Sequence, residues 1–159
     1  MISRLTVLIC LLAIFAQAAP PDFAIGPVPG GKYAVFRKQF TQHMDVFGIH
    51  LFGTAKTPPE KLRHAAIVMA EYLDNDEDGN VDQAEVLAAL KGASNAQIAT
   101  MVLFASEQEQ ESKQSAFEAF ENSITRAQNL FANEIFEGGS NGSDRDATLE
   151  EVLHLVTDK

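Results

Sequence analysis

Residues 73–86 read LDNDEDGNVDQAEV, and the spacing of the oxygen-bearing side chains in this stretch decides how the rest of the chain is read. Calcium is a hard cation that takes six to eight oxygen ligands, and a twelve-residue loop supplies them from positions 1, 3, 5, 7, 9 and 12. Counted from Asp74, those positions hold Asp74, Asp76, Asp78, the main-chain carbonyl of Asn80, Asp82 and Glu85. Gly79 holds the sixth place, where the chain turns through a positive φ that a side chain would penalise. Glu77 is off the ligand positions and reads as solvated charge. Acids crowded this closely repel one another unless a cation neutralises them, which argues against an ordinary charged turn.

The flanks agree with the loop. Thr57-Pro58-Pro59-Glu60 offers an N-cap threonine, a proline at the first helical position and a glutamate that closes a capping box. A helix over Pro58–Leu73 follows, with Leu62, Ala66, Met69, Ala70 and Leu73 on one apolar stripe. A short exiting helix over Gln83–Lys91 is stopped by Gly92. Helix, loop and helix together resemble the EF-hand calcium-binding superfamily over Lys61 to about Ala93. The resemblance implies that Glu85 binds with both oxygens and that Asp82 acts through a water. It also implies that hands come in pairs, with Val81 forming a short strand beside a second loop. HAAIVMAEYLDNDEDG (64–79) and TLEEVLHL (148–155) are also similar to segments of a group of secreted EF-hand proteins without an assigned activity.

Outward from the loop, Val35, Phe36, Phe40 and Met44 fit a helix from Tyr33 to about Val46, and Gly48–Gly53 is open between helix and strand. Ser94–Gln97 is a second capping box that launches an apolar helix carrying Ile98, Met101, Val102, Leu103 and Phe104. Glu107–Gln114 is a polar break or a solvated helix extension. Phe117, Phe120, Ile124, Ala127, Phe131 and Ile135 step by three and four, which predicts a long amphipathic helix over Ser115–Phe136. A loop at Gly138–Ser143 and a last helix over Leu149–Val156 complete the chain. The expected fold is therefore all-α: an EF-hand-like helical domain over residues 32–159, with one intact calcium site paired with a degenerate second hand.

In that second hand Asp144, Asp146 and Glu150 fall at ligand places, but Gly142, Ala147 and Leu153 replace the first ligand, the glycine and the terminal glutamate. A structural partner that does not bind calcium is the default reading. Asn141-Gly142-Ser143 within it is a glycosylation sequon.

A charged start, an apolar run over Leu5–Phe15 and the triplet Ala16-Gln17-Ala18 read as a secretory signal peptide over residues 1–18, cut after Ala18. The single cysteine, Cys10, lies inside that segment, so the mature chain has no disulfide and calcium is a candidate staple in its place. Residues 19–31, rich in proline and glycine, read as an extended arm. The formal net charge of −10 repels phosphate backbones and attracts cations, mineral surfaces or basic proteins. No later stretch is apolar and long enough to span a membrane. Extracellular calcium modules bind with dissociation constants on the order of 0.1–1 mM, so an exported site of this kind is expected to be constitutively loaded rather than a sensor.

Two other readings compete. Glu151 and His154 lie three apart on one helical face, and His64, with His43 and His50 upstream, would complete a metal-dependent hydrolase site. No HExxH motif accompanies them. An acidic matrix or biomineral component fits the composition but lacks long Asp or Ser-Asp runs. A non-enzymatic, secreted calcium-binding protein, holding its fold or a surface for an extracellular protein or matrix, is the leading expectation.

Overall fold

The computed structural model describes residues 23–92, 97–113, 125–136 and 145–157. Its centre is a four-stranded sheet in the order β1-β2-β3-β4, comprising β1 (Gln42–Val46), β2 (Ile49–Gly53), β3 (Ile98–Phe104) and β4 (Thr125–Phe131). β1 and β2 form an antiparallel hairpin with Asp45 opposite His50 and His43 opposite Phe52. β3 runs parallel to both β2 and β4. Among the described residues the α-helices are α1 (Pro59–Leu73), α2 (Ala84–Leu90), α3 (Glu107–Ser112) and α4 (Ala147–Thr157), with a 3₁₀ helix at Gly31–Lys38 ahead of the sheet.

The chain is thus mixed α/β, and the all-α, helical expectation is overturned. β3 explains the error most directly. IATMVLF is an unbroken apolar run because both of its faces are buried, and such a run has no alternation to mark it as a strand. Met101 and Leu103 face α1 and α4, while Val102 and Phe104 face the 3₁₀ helix. The helix expected over Tyr33–Val46 is instead the 3₁₀ helix followed by β1. Phe47 and Gly48, both at positive φ (52° and 87°), then turn the chain as a type I′ hairpin turn requires. The long helix expected over Ser115–Phe136 is replaced in its described part by β4 and a 3₁₀ turn at Ala132–Glu134.

Two cores result. On one face α1 and α4 pack on each other and on the sheet through Leu62, Ala66, Met69, Val152 and Leu155. On the other, Tyr33, Phe36 and Phe40 lie over Phe52, Val102 and Phe104, with the Phe36 and Phe52 rings stacked 4.4 Å apart. The described part of the N-terminal arm is extended and joins the sheet edge, where Gly26 bridges His43 and Val28 is buried.

α1 begins one residue later than the sequence indicates, and its capping box does not form. Pro58 takes the cap position without a side-chain bond. The Thr57 hydroxyl donates instead to the Leu103 carbonyl (2.8 Å), tying the start of α1 to the end of β3. α2 and α4 appear where the sequence puts helices. The signal peptide at 1–18, Ser94 of the second capping box, Phe117, Phe120 and Ile124, the loop 138–143 with the Asn141 sequon, and Asp144 lie outside the described residues. Among the described residues no helix is long and apolar enough to cross a membrane.

Candidate functional site

The acidic loop lies between α1 and α2, inside the crossover that carries the chain from β2 to the parallel β3. α1 delivers it from a buried Leu73, and Asp74 is itself buried at 5 % exposure. A carboxylate taken out of water must be satisfied by donors. Asp74 receives the backbone N–H of Asp78 on Oδ1 (3.1 Å) and of Gly79 on Oδ2 (2.9 Å). Gly79 reaches that position at φ +86°, and Glu77 also adopts a positive φ of 57°. Asp78 accepts the Asn80 N–H (2.8 Å) and its side-chain amide (3.0 Å). The loop is closed from Asp82, whose N–H donates to Leu73 (2.9 Å) and whose carboxylate accepts from Asn75 (2.8 Å).

These bonds gather carboxylate oxygens of Asp74, Asp76 and Asp78 within 4.8 Å of one another. The backbone N–H of Asp78 favours the ionised form of Asp76, but repulsion from Asp78, Asp82 and Asp74 wins and its carboxyl sits above the usual range. Of the other expected ligands, Asn80 is exposed with its side chain on Asp78, Asp82 is held by Asn75, and Glu85 is exposed in the first turn of α2. Val81, Val86 and Leu87 rest against the α1/α4 core.

Among the described residues the paired second hand is not formed. Its entering helix is β4 in the described part, hydrogen-bonded along β3. Asp146 has a different task, accepting the Thr148 N–H (3.0 Å) at the start of α4 and lying 2.7 Å from His64 Nε2. The Glu-x-x-His constellation does not converge either. Gln128 donates to Glu151, His154 lies exposed beside Glu150 (3.7 Å), and His64 is engaged with Asp146.

His43 and His50 lie across the sheet from those residues, on the 3₁₀-helix side, where they meet Asp45. His43 Nε2 is 2.8 Å from His50 Nδ1, which is 3.5 Å from Asp45 Oδ2. Burial, with a smaller push from His50, brings His43 down to about 4, against the opposing pull of Asp45. Burial also lowers His50, more than Asp45 raises it, and Lys32 and Lys91 act in the same direction as burial. Among the described residues, this group and the Asp74 group are the two in which three or more such side chains bring ligand atoms within shared reach of an ion. Asp45 escapes a search for histidine motifs. The signal that finds it is the hairpin Asp45-Val46-Phe47-Gly48-Ile49-His50, whose two-residue turn sets Asp45 opposite His50.

No family model matches the chain, and neither the curated proteins nor the solved structures contain a significant match to it.

Proposed function

We propose that this is a secreted calcium-binding protein, holding one ion in an EF-hand-type loop from Asp74 to Glu85. The observation that carries the reading is the approach of the Asp74, Asp76 and Asp78 oxygens around a turn with Gly79 at positive φ, between two helices. Mutual repulsion at Asp76 supports it, because a cation relieves that repulsion. Glu85 is the swinging ligand, drawn in with the first turn of α2 when the ion enters. Export keeps the site loaded and makes it a fixture of the fold or of a partner surface. With a dissociation constant a hundredfold below free calcium, the ion adds roughly 2.7 kcal/mol to stability. That is comparable to the disulfide that the mature chain lacks. The hydrolase reading is set aside, since Glu151, His154 and His64 each face a different partner.

Calorimetric titration of calcium into the chelated protein tests the reading. One equivalent of binding is expected, abolished in Glu85→Gln and in Asp76→Asn. Absence of binding heat and of any calcium-dependent rise in melting temperature would refute it.

A further inference from the structure

We propose that His43, His50 and Asp45 form a second metal site, specific for a zinc-class divalent cation and independent of the calcium loop. The hairpin brings the three side chains together. Its two-residue turn fixes a register in which Asp45 pairs with His50, so these two side chains and that of His43 rise from one face of the sheet. The ligand atoms fall within 4.8 Å of one another without rearrangement of the backbone.

Each ligand is held from behind. The Gly48 N–H donates to Asp45 Oδ1 (2.8 Å), which leaves Oδ2 turned to His50. The His50 ring lies 4.3 Å from the Tyr33 ring, and the His43 ring 5.3 Å from that of Phe52. Outer contacts of this kind orient metal ligands before the ion arrives. Two ring nitrogens 2.8 Å apart share one proton, so one lone pair already points into the gap. Zinc–nitrogen bonds of about 2.0–2.1 Å in tetrahedral geometry need the nitrogens roughly 3.3–3.4 Å apart, an opening of about half an ångström. The shared proton passes to the outer nitrogen of its own ring, and both imidazoles stay neutral.

Two imidazoles and one carboxylate suit zinc and its borderline neighbours, whereas calcium selects oxygen ligands. The exposed Asp45 marks the side on which a fourth, water-filled position opens to solvent. The charges of Lys32 and Lys91 also act on His50 and oppose a cation, so the affinity rests on the three ligands and not on the surrounding field.

The test is a titration of cobalt(II), then zinc, into the full-length mature protein saturated with calcium, read by visible absorption and calorimetry. One equivalent of cobalt is expected to give the intense d–d bands of a tetrahedral site, and zinc to bleach them. His43→Gln, His50→Gln and the exposed Asp45→Asn should each weaken binding by more than about tenfold. Near-ultraviolet dichroism reports their folding, and Asp45→Asn carries the result if a histidine variant does not fold. Asp76→Asn, which disables the calcium loop, should leave the bands unchanged, so the two sites fail separately. Absence of the bands, or bands of equal strength in Asp45→Asn and the folded histidine variants, overturns the proposal.

Discussion

Asp146 accepts the Thr148 N–H with one oxygen and faces His64 Nε2 with the other, so a single carboxylate caps α4 and fastens it to α1. Burial alone would raise its carboxyl, but the bonds from Thr148 and His64 outweigh burial and hold it below the usual carboxylate range. A group whose folded pKa is depressed contributes stability that is fully present above its unfolded value, near 3.9, and is lost as pH falls through the lower folded value. Asp146→Ala is therefore expected to cost about 1–2 kcal/mol at neutral pH, through the lost cap and the unpaired His64. The deficit should begin to shrink as pH falls below about 4, where the unfolded chain takes up a proton before the native carboxylate does. Urea unfolding of both proteins at pH 7 and pH 3 measures it, and an equal deficit at both would mean that the charge contributes nothing. At this scale the sequence was partly legible. Asp146 stood out as an acid, but the spacing that suggested a calcium ligand was that of a helix cap.

A network of buried polar groups joins three elements where β2 and β3 end. The Thr54 hydroxyl and the Ala105 N–H both donate to Glu109 Oε2 (3.1 and 2.8 Å), and Thr57 is bonded to Leu103 and Thr54. Glu109 also pairs with Lys113 and lies in the first turn of α3, capped by Ser106. Glu109→Ala removes the acceptor shared by the buried Thr54 hydroxyl and the half-buried Ala105 N–H and is expected to lower unfolding free energy by about 1–3 kcal/mol. Chemical denaturation measures it, and a change below about 0.5 kcal/mol would mean that water replaces the carboxylate. Ser106-Glu107-Gln108-Glu109 is a capping box in the sequence, yet the polar run over Glu107–Gln114 reads equally as a break or as a solvated helix extension. α1, α2 and α4 were legible because prolines, glycines and a 3.6-residue apolar period mark them. The strands were not. A doubly buried strand carries no alternation, and Ala127 and Phe131 on one face of β4 happen to be four residues apart, which imitates a helix.

For the molecule as a whole, the acidic loop belongs to a connection between two parallel strands and, among the described residues, has no second loop as partner. In a pair of hands each loop supports the other, whereas here support comes from Leu73 on one side and Leu90 on the other, both in the α1/α4 core. α2 has seven residues and only Leu90 fully buried, too little to hold a helix by itself. The sheet, by contrast, is closed by two cores, and the aromatic one lies on the far face from the loop. On the proposed calcium reading, removing the ion should therefore melt the connection before the sheet. In hydrogen exchange on the chelated protein, residues 74–90 are expected to lose protection, while β2 and β3 keep theirs until global unfolding. Restoring calcium should recover protection in wild type and fail to do so in Glu85→Gln. Equal loss across β3 would show instead that the ion holds the whole fold, and no change anywhere would mean that α2 stands without it.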